Sequence, residues 1–135
     1  VAYDVVTISD TVSKADGGRF DGLVTFVQAV GQTETNTTAT GSLTLDYSAN
    51  QNFVLTLTGN VTLANPSTEA VGQSGFIVFI QDGTGGRTVS LGTDYETAAG
   101  AGITLSSTAS ATDIVPYIVA ASGRILLGAP QLNFS

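Results

Sequence analysis

The 135-residue chain has no cysteine, no histidine, no methionine and no tryptophan. Without cysteine it can carry neither a disulfide framework nor a thiolate metal site. The compartment stays open, because oxidising surroundings permit disulfides without requiring them. Without histidine it lacks the usual proton shuttle and the commonest metal ligand. Basic residues are scarce as well: 4 Lys and Arg face 11 Asp and Glu, for a formal net charge of -7. Nucleic-acid binders need a basic stripe and anionic membrane surfaces attract basic clusters, so neither partner is expected. No run approaches the roughly 18–20 apolar residues that span a bilayer. Val1, Ala2, Tyr3 and Asp4 do not form a basic region ahead of an apolar stretch, so no signal peptide is expected.

Charge of either sign is sparse. Only 11% of residues are charged, against about 25% in an ordinary soluble domain, while mean hydropathy is +0.28. Thr, Ser, Asn and Gly supply the polarity. A chain of this length is about one domain and can bury a core without metal or disulfide staples. The apolar excess predicts a generous core together with apolar surface covered by another chain.

The informative stretch is residues 41–91. Its β-type runs at 43–47, 53–58 and 76–81 are separated by turn formers. The run Phe76, Ile77, Val78, Phe79, Ile80 is apolar on both faces, which demands cover on both. Gly59-Asn60 reads as a two-residue hairpin turn. Residues 82–86 (DGTGG) read as the end of a second hairpin joining 76–81 to 87–91. Residues 103–105 form a brief strand, and 114–120 and 124–128 a last hairpin turning at Ala121, Ser122 and Gly123. The C-terminal segment ends in an apolar anchor, Phe134. Upstream, residues 1–9 and 20–30 read as strands. The Thr-rich segment 31–40 fits an extended linker or a strand on a sheet edge.

Short strands with Gly and Asn turns and no helical period give an all-β sandwich or barrel. The expected architecture is an antiparallel, jelly-roll-like β-sandwich over 41–135, with 1–40 as an N-terminal β arm and linker.

The strings LTLTGNVTL, SGFIVFIQDGTGGRTVSLG and DIVPYIVAASGRILLGAPQLNFS resemble a module of bacteriophage virion proteins, the C-terminal domain of tail fibres and related surface structural proteins. The likeness runs from about Thr35 to Ser135. It implies a β-sandwich that assembles as a homotrimer on the virion surface, made in the host cytoplasm, with other virion proteins and host surface glycan as partners.

Candidate chemistry is thin. Ser13 and Lys14 are adjacent, so along a strand they point to opposite faces and make no dyad. Asp94 and Glu96 share a strand face and could pair as glycosidase carboxylates, but a solvated acidic loop explains them better. The DGTGG loop lacks the Lys-Ser/Thr and following helix of a phosphate loop, and Asp82 alone offers too few oxygens for calcium. Asn36 and Asn60 match a glycosylation pattern that is chance in a phage protein. No catalytic residue, metal or cofactor is expected. Phe76, Val78 and Ile80 serve either the core or a subunit interface, and Tyr3, Val5 and Phe134 are further interface candidates, the arm through strand addition to a neighbour. The function expected is a non-enzymatic exterior virion protein. A trimeric capsid decoration protein or short head fibre is favoured by the short chain, with a receptor-binding tail-fibre tip as the alternative.

Overall fold

The computed structural model describes residues 23 and 25–135. The expected strand over residues 1–9, the Ser13–Lys14 pair, Tyr3 and Val5 lie outside them. Residues 23 and 25–30, the described part of the expected strand over 20–30, carry no strand. One of the chain's two compact units spans Gly31–Ser135.

This unit is all-β. Its strands are β1 (Thr33–Leu43), β2 (Asn52–Leu63), β3 (Ser74–Gln81), β4 (Val89–Leu91), β5 (Tyr95–Glu96), β6 (Thr112–Ala121), β7 (Arg124–Leu127) and β8 (Gln131–Phe134), with one 3-10 turn at Ala98–Gly100. All eight join one sheet in the order β1-β2-β3-β6-β7-β5, with β4 added to β2 and β8 to β6. The sheet curls into a half-barrel.

The strand directions correct the antiparallel expectation. β1, β3 and β4 all run parallel to β2, and β5 runs parallel to β7. Only the pairs made by β6, with β3, β7 and β8, are antiparallel. Parallel neighbours need crossovers, and here residues 44–51 and 64–73 supply them without a helix. The first crossover does a second job: its Leu45 and Tyr47 are buried in the core, so it roofs the concave side of the sheet. The expected strand over 43–47 therefore ends at Leu43, and residues 103–105 also form no strand. Instead Ile103 and Leu105 pack on the core from a loop.

Two expected hairpins are also absent, each for a local reason. β2 runs straight through Gly59 and Asn60 with its odd-numbered residues inward throughout: Phe53, Leu55, Leu57, Val61 and Leu63 are all buried. A side chain at Gly59 would collide with Thr40 Oγ1 on β1, so glycine is needed there for close strand approach rather than for a turn. Asn60 Oδ1 accepts from the Thr88 backbone N–H at 3.1 Å, filling the gap between β3 and β4. Those two strands lie end to end along the same edge of β2, against 53–57 and 61–63 respectively. Residues 82–88 are thus an excursion between collinear strands.

The segment 31–40 resolves as the edge strand. β1 pairs with β2 through two register shifts, after Asn36 and after Ala39. The last hairpin forms as expected between β6 and β7, with Gly123 at φ 67 in its turn. β8 then returns to the free part of the same β6 edge. Pro116 falls between the two stretches of β6 served by β7 and β8. Its carbonyl accepts from Gly128 N–H at 2.9 Å, so its missing N–H faces the break, where no ladder bond is lost.

Candidate functional site

Asp82, Glu96, Asn36 and Asn60 all have internal hydrogen-bond partners. Asp82 Oδ1 accepts from the backbone N–H groups of Thr84 at 3.0 Å and Gly85 at 2.9 Å. Its Oδ2 accepts from Arg87 Nε at 3.2 Å and Nη2 at 2.8 Å. The Arg87 guanidinium, helped by the Gly85 N–H, holds the Asp82 carboxyl below its ordinary range. Gly85, at φ 75, lies so close to residues 107–109 that an added Cβ would sit 2.7 Å from Ala109 N. Both carboxylate oxygens being engaged, the loop is a structural excursion and no cradle for a cation or phosphate.

Glu96 is equally committed. Arg124 donates to it through Nε–Oε1 at 2.7 Å and Nη2–Oε2 at 2.8 Å, a bidentate pair that depresses the Glu96 carboxyl and raises the guanidinium. A glycosidase acid needs its carboxyl raised, and Glu96 moves in the opposite direction. Asn36 and Asn60 each accept a backbone hydrogen bond, from Thr38 at 3.0 Å and from Thr88 at 3.1 Å.

One buried carboxylate escaped the sequence reading. Asp113 on β6, 1% exposed, accepts from Ser106 N–H at 2.6 Å, Ser106 Oγ at 2.8 Å and Asn133 N–H at 2.8 Å. It ties the loop before β6 and the terminal strand to one point. At the other end of the core, Tyr47 meets Phe53 and Tyr117 edge-on at centroid distances of 5.0 and 5.3 Å. Its hydroxyl lies 3.3 Å from that of Tyr95. Burial raises the Tyr47 phenol and pushes Tyr95 and Tyr117 up to about 12.

The surface that remains is the convex face of the sheet. Along β3, Ile77 and Phe79 are buried while Phe76 is 52% exposed and Val78 and Ile80 are half-buried. The alternation splits the FIVFI run, so its second apolar face lies outside the chain's own core. Register extends that face across the sheet. Val78 pairs with Val54 on β2 and Ile114 on β6. Phe76 pairs with Pro116, and Ile118 with Leu126. Phe134 joins through Thr112, the β6 partner of Ile80. A groove of about 420 Å³ is lined by Val54, Val78, Ile114, Phe76, Thr33, Asn52 and Gln131. Phe76, Val78, Ile80 and Phe134 are thus brought together. Val54, Ile114 and Ile118 were missed, although β6 (TDIVPYIVAA) shows the same two-faced pattern as the FIVFI run.

No curated protein and no solved structure matches the chain. A family model described as "Putative phage tail fibre C-terminal domain" matches residues 37–124. That span runs from β1 to the start of β7 and takes in the crossovers, the Asp82 loop and most of the convex face. The chain belongs to this family of phage tail-fibre modules.

Proposed function

We propose that this phage structural protein is a non-enzymatic, exterior module of the tail fibre that works as a homotrimer. The family match over residues 37–124 carries the reading and favours the fibre over the capsid decoration role expected from chain length. Composition supports it, since the chain has neither His nor Cys. So does the internal pairing of Asp82 with Arg87 and of Glu96 with Arg124, which leaves those carboxylates no free role. A fibre end meets the host surface, so host glycan is the partner class to test, with the loops between strands as the contact region.

Quantitative mass spectrometry of purified particles is the test. A few tens of copies per particle fit the fibre. Hundreds of copies, matching the shell subunits, would overturn it in favour of capsid decoration. Turnover of host polysaccharide by the purified chain, lost in Asp94→Ala or Glu96→Ala, would overturn the non-enzymatic reading.

A further inference from the structure

We propose that copies of this chain associate through the convex face of the sheet, with Phe76 of each copy seated in the Val54–Val78–Ile114 groove of the next. The inference rests on the homotrimer reading above and gives it a surface.

Charge selects the occupant. Each copy carries a net charge of -7, so two copies repel across most approaches. The convex rows of β2, β3 and β6 contain no charged side chain: Val54 and Thr56, Phe76, Val78 and Ile80, then Thr112, Ile114, Pro116 and Ile118. Among the described residues, the charged side chains that border this face are ion-paired: Glu96 with Arg124, beyond Leu126 on β5 and β7, and Asp82 with Arg87, just past the end of β3. A basic partner would be steered to the acidic surface elsewhere, whereas a second copy meets this face without like-charge contact. The arrangement, an apolar centre with a paired polar rim, is that of an interface.

Area agrees. Phe76 is 52% exposed, Ile118 46%, Phe134 46% and Leu126 36%. With their half-buried neighbours they present on the order of 500 Å² of apolar surface, near the upper end for the largest patch on a monomer. A standard interface buries about 800 Å² per partner. Shape gives the pairing. The exposed Phe76 ring stands on the wall of a groove of about 420 Å³, so each copy offers one knob beside one hole. Phe76 of one copy in the groove of the next, repeated head to tail, is a heterologous contact, which makes a ring where the rotation between neighbours closes. Edge pairing is disfavoured, because β1 is broken by two register shifts and by Gly41 at φ 68.

The test is light scattering across a dilution series on the full chain and on Phe76→Glu, Ile118→Glu and Val71→Glu. Val71, 68% exposed, lies in the crossover between β2 and β3 and serves as control. The expected result is an assembled wild type and Val71→Glu, with association of the other two weakened roughly 30-fold or more. A wild type that stays monomeric overturns both this inference and the homotrimer reading. Assembly that persists unchanged in Phe76→Glu and Ile118→Glu overturns the inference alone. Should the Glu variants fail to fold, the cysteine-free chain allows Phe76→Cys and Val71→Cys to be compared by maleimide labelling. Phe76→Cys is expected to label far more slowly than Val71→Cys at assembling concentration and to catch up on dilution. Equal rates at both concentrations would overturn the inference.

Discussion

Gln81 holds the backbone of Arg87 from both sides. Its Oε1 accepts from the Arg87 N–H at 2.8 Å and its Nε2 donates to the Arg87 carbonyl at 2.9 Å. The last side chain of β3 thereby replaces a missing strand neighbour for the residue that leads into β4. Being only 3% exposed, the amide has no water to fall back on. Gln81→Ala leaves two backbone groups without their partner and costs about 2–3 kcal/mol. Gln81→Glu keeps the acceptor but sets a second oxygen against the Arg87 carbonyl at a buried site, and costs at least as much. Urea unfolding monitored by circular dichroism measures both; a cost under about 0.5 kcal/mol for Gln81→Ala would contradict the assignment.

A comparable prediction holds for Asp113, at the same end of the β3–β6 pair, where it lies opposite Phe79. Asp113→Ala frees Ser106 and Asn133 together and costs about 3 kcal/mol, because charge-assisted bonds at a buried site are lost. Asp113→Asn keeps one acceptor and costs less. Amide hydrogen exchange should speed up at Ser106 and Asn133 in both variants and leave β2 unchanged. Protection retained at Asn133 would show that β8 is held by pairing with β6 alone.

The pH dependence has two limbs. The Asp82 and Glu96 carboxyls lie below their ordinary values, through Arg87 and Arg124 respectively. As pH falls below about 4 the unfolded chain takes up their protons first. Their stabilisation is therefore full above that point and is lost toward more acid pH. The tyrosines act in the opposite sense: Tyr95 and Tyr117 are raised to about 12 and Tyr47 is raised as well. Their contribution is full below about 10 and is lost as pH climbs through the raised values. Tyrosinate absorbance should therefore show these three of the chain's four tyrosines ionising only as the fold gives way. Ionisation of all four near 10 in the native state would contradict their burial.

Phe76 and Phe79 separate the two faces of β3. Phe79→Ala removes a ring that is 1% exposed and costs about 3–5 kcal/mol at every protein concentration. Phe76→Ala costs under about 1 kcal/mol in dilute protein, with a larger loss of thermal stability at concentrations where the wild type assembles. Equal, concentration-independent costs at the two positions would place Phe76 in the core.

The sequence shows which residues face inward more readily than which strands are neighbours. The odd-numbered apolar set of β2 and the two-faced run of β3 are both legible, because period two follows from the pleat alone. Pairing direction depends on where the crossovers lead, and residues 44–51 carry no mark of parallel return beyond Leu45 and Tyr47. Gly59-Asn60 has turn composition, yet Gly59 serves close packing against Thr40 and Asn60 bridges to Thr88. The DGTGG loop signals an excursion without saying whether the chain turns back or carries on. β1 is hidden by composition: its inward positions Glu34, Asn36 and Ala39 are polar or small, as suits a strand that ends the core rather than extends it. The convex face was half legible, since the FIVFI run marks a second apolar surface and β6 repeats the signal.

Imaging of intact phage particles, at a resolution that traces this chain, tests the central claim most directly. The account predicts density at the tail fibres in which the Phe76 face of each copy is turned into its neighbours and away from solvent. Density that leaves Phe76, Val78 and Ile114 open to solvent, or that places the chain on the head shell, would contradict it.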